Sequence, residues 1–125
     1  MVKKLVILLT LFPITSSYCE DIDHKWVLID SSETVFKYID IASISKNGNI
    51  VDVWEKWEYN NGPYTKTLSL ISYDCKNNKT KILESMNVLK SGEISPYQLS
   101  LDGNWSNLIP ETPRWPLARK ICKFK

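Results

Sequence analysis

The clearest alternation along the chain lies over residues 50–59, IVDVWEKWEY. Val51, Val53, Trp57 and Tyr59 share one parity, and Asp52, Lys56 and Glu58 the other, with Trp54 as the exception. Successive side chains of a strand point to opposite faces, so this pattern predicts a half-buried strand. Asn60-Asn61-Gly62-Pro63 predicts a hairpin connection. Residues 64–75 (YTKTLSLISYDC), rich in Thr, Tyr, Leu and Ile, predict the returning strand. After a turn at KNNK, residues 80–89 (TKILESMNVL) place Ile82, Met86 and Val88 in one parity. Ile82, Leu83, Met86 and Leu89 also satisfy helical spacing, and the neighbouring hairpin favours a strand.

Upstream, residues 25–29 and 34–39 predict two more strands, 40–45 one helical turn or a bend, and Asn47-Gly48-Asn49 a turn. Downstream the pattern weakens. Ser91-Gly92 predicts a turn, 94–101 a strand broken by Pro96, and 103–110 a loop carrying Trp105. Thr112-Pro113 has the form of a helix start, with Thr as N-cap and Pro at the first helical position. Pro116 falls in the first turn, where a missing N–H costs little. Leu117, Ile121 and Phe124 recur at helical spacing, and Arg119, Lys120, Lys123 and Lys125 follow where the helix dipole favours cations. The predicted fold class is α+β: an antiparallel β-sheet of about five to six strands with a C-terminal α-helix.

The N-terminus reads differently. Lys3 and Lys4, the apolar stretch 5–12 (LVILLTLF) and the small residues of 13–17 form the three-part layout of a secretory signal peptide. The stretch is too short for a membrane span, which needs about 20 apolar residues. The expected division is a signal over 1–19 and a single domain over 20–125. Cys19 would attach the chain to a membrane only if lipidated, and the bulky Tyr18 before it departs from the small residue a bacterial lipobox wants. Removing Lys3 and Lys4 leaves 14 cations against 14 anions. That balance excludes a general nucleic-acid or anionic-membrane binder.

Export changes the reading of the cysteines. In an oxidising compartment Cys75 and Cys122 are the natural pair, Cys19 bordering the signal. Closing a loop of that size stabilises by about 4 kcal/mol in the chain-entropy view. No metal or other cofactor is expected: CxxC is absent, and the single histidine, His24, has no partner at ligand spacing. Asp21, Asp23 and His24 read as a solvated lead-in. Glu55 and Glu58 point to opposite faces of their strand, and GxxxxGK[ST], GxGxxG and HExxH are all missing. A non-enzyme is expected.

Five Trp and six Tyr remain to be placed. Trp26, Trp54, Trp57 and Tyr73 are candidates for core or sheet-face positions. Trp105 and Trp115 lie in proline-rich irregular stretches and are expected to be partly exposed. Lys76, Lys79 and Lys81 form a basic run around a turn, read either as a solvated hairpin tip or as a patch for an anionic partner. These two tryptophans and three lysines are the candidate contact residues.

The order of these features resembles the surface-adhesin protein E family of bacteria. The resemblance rests on WVLI (26–29), FKYIDIASISKNGNIVDVWEK (36–56), SYDC (72–75), WSNLIP (105–110) and RKIC (119–122). Within these, Tyr38, Asp40, Ser43, Ile44, Trp54, Tyr73, Cys75, Trp105, Leu108, Ile109, Pro110 and Cys122 match the family's pattern, over about residues 25–124. The resemblance implies an antiparallel sheet and a C-terminal helix tied by a disulfide, at the envelope or surface of a Gram-negative bacterium. It also implies a protein partner, such as a host extracellular-matrix protein. The family's namesake is a surface lipoprotein adhesin that engages matrix and serum proteins such as vitronectin and laminin, and binds haem. The alternatives are a periplasmic accessory or structural protein, or a small-ligand binder for haem or a glycan. For haem, His24 is the one imidazole available as an axial ligand.

Overall fold

The computed structural model describes residues 23–96 and 104–124. The expected signal peptide, Cys19, Asp21 and most of the 94–101 segment lie outside the described residues. Eight antiparallel strands form one sheet: β1 (Trp26–Ser31), β2 (Val35–Asp40), β3 (Ser45–Asn47), β4 (Ile50–Tyr59), β5 (Tyr64–Asp74), β6 (Lys79–Leu89), β7 (Ile94–Pro96) and β8 (Ser106–Asn107). The continuous order is β1-β2-β4-β5-β6-β7. β3 takes the part of the β4 edge that β2 leaves free, and β8 pairs with the start of β6. The helix α1 (Arg114–Ile121) follows.

The alternation in β4 sets the layers. Val51 and Val53 oppose Tyr73 and Ile71 of β5, and on this face α1 buries Leu117, Ala118 and Ile121. Ile29 and Ile39 complete the core, and Phe124, just beyond the helix, packs against it half-buried. Each fully buried Leu or Ile stabilises by about 1.5–3 kcal/mol. The Cys75–Cys122 disulfide is formed as expected, joining the residue after β5 to the end of α1 with Cα atoms 5.7 Å apart.

β6 is a strand along its whole length, paired with β5. Its ambiguous pattern has a physical cause. A bulge sets Leu70 against Glu84 but Ile71 against Ile82, so one β6 residue goes unmatched. Ile82, Ser85 and Asn87 therefore face the helix side, while Met86 and Val88 face the other. The single parity expected for Ile82, Met86 and Val88 does not hold. β3 and β8 are additions to the predicted strands, too short for alternation to register. The helix begins one residue later than Thr112-Pro113 suggests: Pro113 is the N-cap and makes no side-chain cap. Thr112 donates its hydroxyl to the Ile109 carbonyl instead, at 2.7 Å.

His24 is not a free lead-in. Its Nδ1 lies 2.6 Å from Asp40 Oδ2, and its ring stacks on Trp26 at 5.6 Å. Asp40 also accepts from the Lys25 and Ala42 backbone N–H groups, at 2.8 and 3.0 Å. It thereby starts the 3-10 turn Ile41–Ser43 that steps the chain from β2 to β3. Burial opposes its charge, but the bonds from His24, Lys25 and Ala42 outweigh that and hold its carboxyl below the usual range.

Candidate functional site

Two surfaces have the chemistry to bind. The first grows from a buried charge. Glu55 occupies the apolar parity of β4, between Val53 and Trp57, and is fully buried. From the start of α1, Arg114 Nη1 donates to Glu55 Oε1 at 2.7 Å, to Oε2 at 2.9 Å and to the Tyr73 hydroxyl at 2.8 Å. Tyr73 donates its own proton to Glu55. Burial, then the Glu55 charge, push the Tyr73 phenol well above its ordinary value. Burial disfavours the Arg114 cation, but the Glu55 carboxylate outweighs it and raises the guanidinium further. The three groups thus form an internally neutral cluster joined by their own hydrogen bonds.

Beyond this cluster the helix ends and the same face of the sheet is open. It forms a cleft of about 420 Å³ lined by Trp57, Thr67, Ser69, Ser85, Asn87 and Arg114, among others. The register aligns its walls: Trp57 opposes Thr67, which opposes Asn87, and one pair along Ser69 opposes Ser85. Thr67 donates to Asn87 Oδ1 at 2.6 Å and meets the Tyr59 hydroxyl at 2.8 Å; Ser69 and Ser85 meet at 2.8 Å. Lys37 places Nζ 4.6 Å from the Trp57 ring centroid and donates to the Pro113 carbonyl at 2.9 Å. The Arg114 guanidinium carbon lies 5.3 Å from the same ring. The buried Trp57 Nε1 has no hydrogen-bond partner among the described residues.

The second surface lies at the disulfide end, where the candidate contact residues fall. β8 runs beside Lys79 and Thr80, and Lys81 places Nζ 4.7 Å from the Trp105 ring centroid. Lys79 lines a hollow of about 170 Å³ with Arg119, Lys123, Leu108 and both bridged cysteines. Arg119 stacks toward Trp115 at 5.9 Å. Lys76 is exposed in the adjoining turn. That turn is held by Asp74, which accepts from the side chain and backbone of Asn77 and from Lys76 N, and the bonds from Asn77 hold its carboxyl low. Lys81 is therefore beside Trp105, Lys79 beside Asn107 of β8, and Trp115 beside Arg119, while Lys76 stands in the turn before β6. Trp105 and Trp115 are both half-buried.

Sequence reasoning missed Glu55, Arg114 and the cleft. The available signal was Glu55 itself, a carboxylate at an apolar-parity position. Among the described residues, no group of three His, Cys, Asp or Glu side chains is placed to hold a metal. No helix among them is long and apolar enough to cross a membrane.

The class of protein is thus an antiparallel sheet backed by one helix, which a disulfide and a buried ion pair pin at its two ends. The chain belongs to the surface-adhesin protein E family, whose pattern it matches over residues 26–123. No curated protein and no solved structure is significantly similar to it.

Proposed function

We propose that the chain is an exported, non-enzymatic binding domain of the envelope of a Gram-negative bacterium. It recognises a protein partner, such as a host extracellular-matrix protein, through the disulfide end of its sheet. One observation carries this reading: Lys79, Arg119 and Lys123 line one hollow, Lys81 and Arg119 lie over Trp105 and Trp115, and among the described residues none of these cations is within ion-pair distance of a carboxylate, Asp74 attracting Lys79 from the same hollow. Unpaired cations beside half-exposed indoles suit an acidic protein face. The charges steer the encounter and the rings supply contact area at low entropic cost. Membership of the family supports the extracytoplasmic setting. The bonding of Glu55, Tyr73 and Arg114 to one another supports the non-enzymatic reading.

The test is binding of the mature domain to immobilised vitronectin and laminin across a salt series. Binding should weaken with salt, because exposed charges are screened. Lys79→Glu with Lys123→Glu should weaken it by at least about tenfold. Binding that ignores both salt and charge reversal would overturn the assignment of this surface. No binding to either protein would move the domain to a periplasmic accessory role.

A further inference from the structure

We propose that the open cleft beside α1 is a binding site for a neutral saccharide. The site is separate from the disulfide end, with which it shares no lining residue.

Charge sets the class of ligand. Among the described residues Arg114 is the one charged side chain lining the cleft, and Glu55 neutralises it from beneath. A fully charged ligand would enter a low-dielectric wall without a counter-charge, at a cost. A neutral ligand meets no such cost. The lining groups narrow the class further. Tyr59, Thr67, Ser69 and Ser85 are hydroxyls, each donor and acceptor at once, and Asn87 offers both as an amide. Hydroxyl groups on a ligand have the same dual character. The array is also held in place before any ligand arrives, by the Thr67–Asn87, Tyr59–Thr67 and Ser69–Ser85 bonds. Such preorganisation lowers the entropic cost of binding.

The aromatic groups fit the other aspect of a sugar. A pyranose ring has an apolar face of C–H bonds, which packs on the electron-rich face of an aromatic ring. Tyr64 stands at the rim with 36% of its surface exposed. In the wall, Trp57 holds the buried indole N–H without a partner among the described residues. The nitrogen itself is shielded from solvent, so it is the Trp57 ring that a ligand in the cleft would meet. The volume of about 420 Å³ falls within the roughly 300–1,000 Å³ of small-molecule sites.

A sheet face simply left to solvent would look different. The opposite face of the same strands carries Lys56, Glu58, Lys66 and Glu84. The cleft has small hydroxyls and tyrosines where those charges would otherwise stand.

The experiment presents the mature, disulfide-bonded domain to an array of neutral oligosaccharides of glucose, galactose and N-acetylglucosamine. Nitrogen-15 spectra of the indole N–H groups then follow the best-bound sugar. At least one neutral sugar should be retained and should shift the Trp57 indole signal, leaving those of Trp105 and Trp115 in place. Tyr64→Ala, at an exposed position that leaves the fold intact, and Asn87→Ala should each weaken binding by at least about tenfold. Lys79→Glu should not. The proposal is overturned if no neutral sugar is retained above the level of Tyr64→Ala, or if the shift falls on Trp105. Retention of acidic sugars alone, lost in Lys79→Glu, would also overturn it. Because Lys79→Glu tests only the disulfide end, failure of either reading leaves the other standing.

Discussion

Arg114 and Glu55, 59 positions apart in the chain, meet with Nη1 2.7 Å from Oε1 and 2.9 Å from Oε2. The pair fixes the start of α1 to the middle of β4, as the Cys75–Cys122 bridge fixes its end beside β5. An eight-residue helix is only about 12 Å long. Anchored at both ends, it covers the apolar half of the sheet face and stops where Trp57 begins. Arg114 thus lines the cleft while Glu55 holds it from beneath.

The pair should behave as a unit. Arg114→Met leaves a fully buried carboxylate uncompensated, which costs about 3–5 kcal/mol for a closed pair. The Arg114 side chain is 26% exposed, so solvent relieves part of this and the loss should sit near the lower end, about 3 kcal/mol. Arg114→Met combined with Glu55→Gln removes both charges and should recover much of the loss. Urea unfolding of both single variants and the double variant measures the coupling. Strictly additive losses would show that the two groups do not act together.

The bridge makes a spatially resolved prediction. Replacing Cys75 and Cys122 by Ala should cost about 2–5 kcal/mol. The loss should not be uniform. With Arg114 still bound to Glu55, the start of α1 stays docked while Ala118 to Ile121 detach first. Hydrogen exchange should therefore accelerate at the end of α1 and at Phe124, and least in β4 and β5. Equal acceleration across sheet and helix would mean that the bridge stabilises through the unfolded chain alone.

These anchors explain how much of the molecule was legible in the sequence. The central hairpin was, because β4 and β5 alternate and Asn60 to Pro63 marks the turn between them. The bridge was, because an oxidising compartment favours pairing and Cys19 borders the signal, which makes Cys75 and Cys122 the natural pair. The cleft was not. It depends on a bulge opposite Leu70 and Ile71, which restores Ser85 and Asn87 to the helix side, and no local residue announces it. It also depends on a contact between residues far apart in the chain, which only the folded topology brings together. Trp57 was read as a core or sheet-face residue, and its unpartnered N–H needs coordinates to be seen. The candidate lysines were legible as a basic run, but Arg119 and Lys123 join them only through the docking of α1.

Asp40 supplies a pH dependence whose sign can be worked out. Its folded carboxyl is held below the ordinary value, against burial, by His24, Lys25 N and Ala42 N. In the unfolded chain it titrates near about 3.9. As pH falls, the unfolded state takes up the proton first. The stabilisation is therefore fully present above the unfolded value and is lost as pH falls through it toward the folded one. Asp40→Asn keeps the two backbone acceptor bonds but loses the charge. At neutral pH it should be less stable than the parent by about 1.5–3 kcal/mol, the range for hydrogen bonds to a charged group. The two should converge in urea midpoint below about pH 4. Asp74, also held low, titrates in both proteins, so the difference between the curves isolates Asp40. Curves that remain parallel through the acid range would show that the Asp40 charge contributes nothing to the fold.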